Sequence, residues 1–151
     1  MKVAVGCDHA GFVLKKPVLD ALDEIGVEYK DFGSFSEDPV DYPDVAHQVA
    51  CAVATGEYDR GILMCGTGVG MSIAANKIKG VRAASCDNTV TAQFARTHND
   101  ANVLAMGGRT VGPVLASTIV KEFMQTEFES GGRHSRRVGK IARLESEQDC
   151  E

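Results

Sequence analysis

One stretch of the chain, Arg60 to Met71, constrains the fold more than any other. It reads RGILMCGTGVGM, which is a short apolar run, a cysteine and a turn with three glycines in five residues. An apolar run bounded by turn-forming residues predicts a buried strand. The MSIAANKI that follows from Met71 has the composition of a helix packed closely on a sheet. The sequence therefore places Cys65 at the carboxyl end of a strand, where open α/β sheets bind ligands.

The glycine-rich turn predicts an anion-binding loop, but not one of three familiar kinds. Glycines let backbone N–H groups approach a ligand, and free N–H groups at the start of a helix favour anions and a thiolate. A dinucleotide-binding loop needs a glycine where Met71 stands, and a cysteine phosphatase loop needs an arginine there. A Walker A loop ends in Gly-Lys, whereas the first lysine after the turn is Lys77. A tight turn with an incidental buried cysteine remains the alternative from this loop alone.

Composition limits the class of protein. With 151 residues, 44% of them apolar, the chain can build one proper core. No repeat or linker interrupts it, so we expect a single domain over residues 1–151. A net charge of −5 argues against nucleic-acid and membrane partners. The basic GGRHSRR cluster suits a small anion better. The cysteines lack a CxxC pair, which predicts reduced thiols and a cytoplasmic protein; they are Cys7, Cys51, Cys65, Cys86 and Cys150.

Strand and helix patterns alternate along the chain. The predicted strands are 2–6, 27–32, 61–64, 81–85 and 102–106, and the predicted helices are 10–25, 42–55, 71–78, 88–96 and 111–124. Pro17 is expected to mark a kink or a boundary in the first helix, and Asp41 to cap the second. From Gly131 the tail predicts a loop followed by a short exposed helix. This alternation predicts a three-layer α/β/α sandwich around a five-stranded parallel sheet, whose strand order the sequence leaves open.

Polar residues follow several of these strands. Asp8 and His9 end the first strand, Cys65 the third and Arg109 the fifth, so parallel strands would bring them to one edge. His98 and Asn99 lie in a predicted polar turn before the fifth strand, and their place at this edge is less well determined. Each residue also has a simpler explanation: Asp8 can cap a helix, the histidines and tail arginines can be solvated, and Arg109 can form a surface ion pair. Thr67 can bond to the turn backbone.

At this point several motifs together resemble the ribose-5-phosphate isomerase B family, which also includes galactose-6-phosphate isomerase subunits. They occur in the family's order along nearly the whole chain and read DHAG, DYPD, CGTGVGMSIAANK, THNDANVLAMGGR and GGRHSRRV. The resemblance implies a Rossmann-like fold and an aldose–ketose isomerase that needs no metal or organic cofactor. It further implies interconversion of D-ribose 5-phosphate and D-ribulose 5-phosphate through a cis-enediolate.

The resemblance also implies roles for individual residues. Cys65 would be the base that moves a proton between C1 and C2, with Thr67 beside it, because Met71 replaces the glutamate that some members use. His98 would open the sugar ring, assisted by Asp8. The substrate-binding residues would be Asp8, His9, Tyr42, Gly66, Thr67, Gly68, Val69, Gly70, Asn99, Arg109, Arg133 and Arg137. This chemistry is reasonable in itself, because an enediolate needs preorganised N–H donors and a phosphate suits arginine.

Family members are dimers, and the resemblance implies a homodimer or tetramer with shared active sites. The C-terminal arm, about residues 131–151, would carry Arg133 and Arg137 into the partner's pocket. Three alternatives remain open. They are an isomerase of another sugar phosphate (galactose or allose 6-phosphate, or a tetrose phosphate), a non-catalytic sugar-phosphate-binding subunit, and a thiol redox sensor.

Overall fold

The computed structural model describes residues 1–146, so Cys150 and the end of the predicted arm lie outside the described residues. Five strands form one all-parallel sheet in the order β2-β1-β3-β5-β4. The strands are β1 (Lys2–Cys7), β2 (Glu28–Asp31), β3 (Arg60–Cys65), β4 (Ala83–Ser85) and β5 (Val103–Gly107). Every residue of β3 and β5 is buried, as expected for parallel strands covered on both faces.

The described part of the chain, residues 1–146, contains six α-helices. They are α1 (Lys15–Glu24), α2 (Tyr42–Ala54), α3 (Val69–Ala75), α4 (Thr89–Asn99), α5 (Pro113–Gln125) and α6 (Gly132–Leu144). Buried side chains of α1, α4 and α5 form the core on one face, and those of α2 and α3 form the core on the other. The predicted three-layer α/β/α sandwich with a five-stranded parallel sheet is therefore confirmed.

The starts of two helices differ in detail from the prediction. The first was expected from Ala10, but a turn of 3-10 helix over Phe12–Leu14 precedes α1. Pro17 consequently lies in the first turn of α1, where the missing N–H breaks no hydrogen bond, and marks a boundary rather than a kink. Asp41 is the N-cap residue of α2 as predicted, although its side chain accepts no hydrogen bond from that helix.

The prediction of a polar turn over residues 97–100 is wrong. The helix α4 continues to Asn99, and only Asp100 turns the chain, with a φ of 46°. Contacts from distant parts of the chain hold this extra turn: the Glu129 N–H donates to the Thr97 carbonyl at 3.2 Å. The Arg96 guanidinium also donates to the Ala101 carbonyl. Tertiary contacts thus override the weak helix preference of the sequence Thr-His-Asn.

The prediction that the tail begins as a loop at Gly131 is also wrong. The helix α6 begins at Gly132 and includes the whole basic cluster, and the Ser135 Oγ accepts a hydrogen bond of 2.6 Å from the Gly131 N–H at its start. The expected exposed helix is present, since none of the 13 residues of α6 is buried. Its apolar side chains Ile141 and Leu144 are exposed and line a groove shared with Val81 and Ala83.

The cap of α4 gives a test of this description. The Asn88 side chain accepts a hydrogen bond of 2.9 Å from the Thr91 N–H. We expect Asn88→Ala to lower the free energy of unfolding by about 1 kcal/mol, and Asn88→Ser to stay within a few tenths of it. Urea unfolding followed by circular dichroism measures both values. Equal losses in the two variants would contradict a capping role.

Candidate active site

Cys65 ends β3 at the sheet's carboxyl edge. The residue is 4% exposed, and its Sγ accepts a hydrogen bond of 3.2 Å from the Gly68 N–H. Gly68 has a φ of +80°, which disfavours any side chain, and a Cβ there would lie 3.1 Å from the Met106 backbone. The loop from Gly66 to Gly70 therefore wraps around the thiol and directs at least one backbone donor at it.

The turns after β1 and β5 pack directly against this loop. The Asp8 N–H donates to the Met64 carbonyl at 3.0 Å, and the Arg109 N–H donates to the Gly66 carbonyl at 3.0 Å. The Arg109 side chain lies over the loop, since a Cβ on Gly66 would be 3.6 Å from its Nη1. The predicted meeting of Asp8, Cys65 and Arg109 at one edge is confirmed. We call this group the Cys65 pocket.

The remaining residues expected at this edge surround the same pocket. The His9 Nδ1 accepts from the Val40 N–H at 3.4 Å. The Tyr42 ring covers the loop, because a Cβ on Gly70 would lie 2.8 Å from its Cζ. Thr67 is exposed, and its Oγ1 accepts from the Val69 N–H at 3.4 Å. Tyr42 and Thr67 therefore lie at the glycine-rich loop, and His9 follows Asp8 in the turn after β1.

Asp8 acts locally as a turn residue as well. The residue is 5% exposed, and its Oδ1 accepts a hydrogen bond of 2.8 Å from the Gly11 N–H. The bond stabilises the turn before the 3-10 helix, and Asp8 is not the N-cap of that helix or of α1, so the simpler explanation of a helix cap is wrong. The bond occupies one carboxylate oxygen and fixes the orientation of the other, so it is compatible with a second role for Asp8.

His98 and Asn99 lie at the opposite edge of the sheet. They end α4, which runs back from the carboxyl end of β4 to the start of β5. Arg109 follows the other end of β5, and five extended residues separate these ends by about 13 Å. Placing His98 beside Cys65 within one chain is therefore wrong. In a parallel sheet, the helices end where the next strands begin.

His98 forms a second group with the start of α6, which we call the His98 cluster. Its imidazole is stacked between Phe94, at 4.6 Å between ring centroids, and His134, at 4.2 Å. Arg133 and Arg137 lie on the first turns of α6, beside this stack. The tail arginines consequently accompany His98 and Asn99 rather than the Cys65 pocket of their own chain.

His134 is a residue whose role sequence reasoning left open. Desolvation lowers the pKa of the His134 imidazole, and the neighbouring His98 and Arg133 lower it further. The sequence does not predict this stack of rings, because its pattern ends the fourth helix at Arg96. Had α4 been extended, the i,i+4 spacing of Phe94 and His98 would have placed both rings on one face.

The only group of three potential metal ligands within residues 1–146 is His98, Glu129 and His134. Their donor atoms lie within 4.8 Å of one another. The two imidazole planes are parallel to within 1° and stacked, whereas a metal ion bound by two histidines must lie in both ring planes. This arrangement of the rings does not fit a shared ion.

The cysteines near the Cys65 pocket do not support a redox pair. Cys7 and Cys86 belong to the core on one face of the sheet, and Cys65 belongs to the core on the other. Burial raises the pKa of Cys7 to about 11 and also raises the pKa of Cys86. Among the described residues, the redox-sensor alternative therefore lacks a resolving cysteine for Cys65.

The fold and pocket together define a class: an α/β protein with a thiol and a glycine-rich anion-binding loop at the carboxyl edge of its sheet. Within residues 1–146 no helix has the length and apolar content needed to cross a membrane.

Comparison with known proteins specifies the class. The Ribose/Galactose Isomerase family profile matches residues 3–141. Ribose-5-phosphate isomerase B of Escherichia coli K12 is 52% identical over 148 residues, covering 98% of this chain and 99% of the relative. The D-erythrulose-4-phosphate isomerase of Pectobacterium atrosepticum is 43% identical over 150 residues, covering 98% and 97%. The structure of Clostridium thermocellum ribose-5-phosphate isomerase B superposes with a TM-score of 0.95 at 51% identity, covering 99% and 100%.

The chain belongs to the Ribose/Galactose Isomerase family. The resemblance inferred from its motifs is confirmed, and the protein is a sugar-phosphate isomerase, an enzyme of the aldose–ketose type.

The loop geometry makes a prediction with a matched control. Gly68→Ala should abolish most isomerase activity and destabilise the fold by more than about 1 kcal/mol, because a Cβ both strains the left-handed φ and meets the Met106 backbone. Gly26→Ala carries similar strain, with a φ of +68° in open space far from the pocket. It should cost about 1 kcal/mol and keep the activity. Isomerase rates and urea unfolding curves of both variants test these expectations. Full activity in Gly68→Ala would contradict the described loop.

Proposed function

We propose that the protein interconverts D-ribose 5-phosphate and D-ribulose 5-phosphate through a cis-enediolate, with Cys65 as the base. The observation that carries this proposal is the Cys65 pocket. A thiol receives a backbone N–H bond at a glycine-rich loop, beside a carboxylate and a guanidinium. The 52% identity to an Escherichia coli ribose-5-phosphate isomerase B supports this pentose substrate.

Proton transfer requires a base in its anionic form next to the sugar. The Gly68 N–H donates to the Cys65 Sγ, so a backbone donor faces the atom that carries the charge of the base. The thiolate removes the proton from C2 of the open-chain aldose, giving an enediolate and a neutral thiol. The hydroxyl proton on O2 then moves to O1, and return of the carbon proton from the thiol to C1 gives the ketose and restores the thiolate. The Thr67 hydroxyl, exposed beside the loop, is available to the substrate oxygens during this transfer.

Stabilisation of the enediolate falls to the backbone of the loop. A carbon acid next to a carbonyl is weak, so fixed N–H donors must meet the negative charge as it develops. The amides of Gly66 and Gly70 are held by the packing of the loop on the neighbouring turns, whereas the Gly68 and Val69 N–H groups donate to the Cys65 Sγ and the Thr67 Oγ1. Arg109 over Gly66 adds a positive charge on the same side. No metal or organic cofactor enters these steps.

Ring opening and phosphate binding are assigned to the other proposed residues. His98 donates and accepts the protons that open the furanose ring, assisted by Asp8. His9, Arg133 and Arg137 bind the phosphate, since guanidinium groups match phosphate oxygens in a bidentate fork. Asn99 and Tyr42 complete the contacts to the sugar hydroxyls.

A complete site then requires two subunits, because the Cys65 pocket and the His98 cluster lie at opposite edges of the sheet. We propose a homodimer in which each Cys65 pocket receives the partner's His98 cluster. Exposed apolar side chains on the helices between the two groups support a contact surface there: Val69 and Ile73 on α3, and Val90 and Phe94 on α4. The exposed helix α6 would be the arm that reaches the partner.

Substitution of the thiol tests the proposed base. Cys65→Ala should lower kcat for ribose 5-phosphate at least about a hundredfold, as expected for loss of a general base. Excess chelator should leave the wild-type rate unchanged. Cys51→Ser removes a half-buried thiol on α2, outside the pocket, and should keep the activity. Substantial activity in Cys65→Ala, or loss of activity with chelator, would contradict the mechanism.

Mixed dimers test the shared site. Cys65→Ala and His98→Asn homodimers should each be inactive. After mixing in denaturant and refolding together, random pairing should restore about a quarter of the wild-type activity, because half of the dimers then hold one intact site of two. If both groups acted within one chain, no mixed dimer would hold an intact site and no activity would return.

One comparison favours a second candidate substrate. The D-erythrulose-4-phosphate isomerase at 43% identity shows that a close relative carries the name of a tetrose enzyme. Measurement of kcat/KM for ribose 5-phosphate, allose 6-phosphate, galactose 6-phosphate and erythrulose 4-phosphate decides between them. A tenfold preference for any sugar other than ribose 5-phosphate would replace the pentose assignment while keeping the chemistry.

A further inference from the structure

Asp100 ends α4 in an unusual way. Within residues 1–146 it is the only residue other than glycine with a positive φ, at 46°. Its N–H donates to the Arg96 carbonyl at 3.2 Å, and the Ala101 N–H donates to the Ala95 carbonyl at 2.9 Å. Together these bonds close the helix directly after His98 and Asn99.

The Asp100 carboxylate bridges two guanidinium groups. Its Oδ1 accepts from the Arg96 Nη1 at 2.9 Å, and its Oδ2 accepts from the Arg82 Nη2 at 2.9 Å. The Arg82 Nε also donates to the Asp100 carbonyl at 2.9 Å. Arg82 precedes β4, so Asp100 connects the end of α4 to the edge strand of the sheet.

Arg96 extends this network towards α6. The residue is 5% exposed, and its guanidinium donates to the Ala101 carbonyl at 2.6 Å and to the Thr126 carbonyl at 3.3 Å. Thr126 begins the segment that leads to Arg133. The Asp100 carboxylate therefore supplies the negative charge that pairs with the buried Arg96 guanidinium. That guanidinium contacts both the end of α4 and the segment before the basic cluster.

Resting on the proposed function, we propose that Asp100 is a positioning residue of the isomerase. Its bridge between Arg82 and Arg96 holds His98, Asn99 and the start of α6 in the orientation that meets the partner's Cys65 pocket. Removal of the carboxylate leaves the buried Arg96 cation with its two carbonyl acceptors but without the negative charge that pairs with it. The end of α4 then adjusts, and even a shift of about 1 Å in a catalytic group can slow an enzyme a hundredfold.

Deuterium exchange distinguishes a misplaced His98 from a general loss of folded dimer. In D2O, reversible formation of the enediolate places deuterium in ribulose 5-phosphate without any ring chemistry, whereas net conversion to the aldose also includes ring closure. Loss of ring chemistry raises the ratio of exchange to net conversion, because the open-chain intermediate returns to ketose more often. A smaller folded or dimeric fraction lowers both rates equally and leaves the ratio unchanged.

The experiment compares full-length dimers of Asp100→Asn, Arg82→Gln, His98→Asn and the control Asp20→Asn. Asp20 forms an exposed ion pair with Lys16 on α1, so its variant makes the same charge change far from α4. We expect Asp100→Asn to lower kcat by about ten- to a hundredfold. It should also raise the exchange ratio in the direction of His98→Asn. Arg82→Gln, whose side chain is partly exposed, should show a milder change of the same kind and is informative even if Asp100→Asn folds poorly. Asp20→Asn should match wild type.

Two results would overturn the proposal. The first leaves the proposed function intact, and the second also removes the role assigned to His98. If His98→Asn raises the exchange ratio while Asp100→Asn and Arg82→Gln leave it at the wild-type value, Asp100 has only a structural role and the proposed function stands. If His98→Asn itself leaves the ratio unchanged, the assigned role of His98 fails, and the positioning role of Asp100 fails with it.

Discussion

The contact between the turns that follow β1, β3 and β5 determines the chemistry available to this chain. The Gly108 N–H donates to the Cys65 carbonyl at 2.8 Å, and the Asp8 N–H donates to the Met64 carbonyl at 3.0 Å. Such backbone contact requires residues without bulk: a Cβ on Gly107 would lie 2.5 Å from the Thr67 Cα. Close packing fixes the amides of the loop before any ligand arrives, and fixed donors stabilise an anion without the cost of reorganisation.

The same parallel topology separates the two halves of the site. Right-handed crossovers place the beginnings of helices at the carboxyl edge of the sheet and their ends at the other edge. A side chain at the end of α4, such as His98, therefore cannot reach the thiol of its own chain by a small movement. If His98 acts on the same sugar as Cys65, the fold itself requires a partner, and the tail arginines belong with the half that the partner supplies.

The sequence predicted the sheet well because its strands carry a strong local signal. Buried strands such as β3 are continuous apolar runs bounded by glycine, and the residues after them are fixed by the strand ends. Strand order had no local signal, because it depends on which helices cover which face. The end of α4 and the start of α6 were missed for a related reason. The polar end of α4 is held by distant partners, Thr126 and Glu129. The start of α6 contains glycine and is polar, and its His134 ring stacks on the distant His98.

The packing beneath the loop is consistent with the proposal that the base is a thiol. Met71, which occupies the position of the glutamate in some relatives by resemblance, is completely buried in the core beneath the loop. A carboxylate there would have to be desolvated or displace the apolar packing of α3. Cys65 belongs to the same core cluster but is 4% exposed, and its Sγ meets a backbone donor. An apolar residue at position 71 therefore suits the core of α3, and the proposed exchange of a proton with a sugar carbon falls to the sulfur.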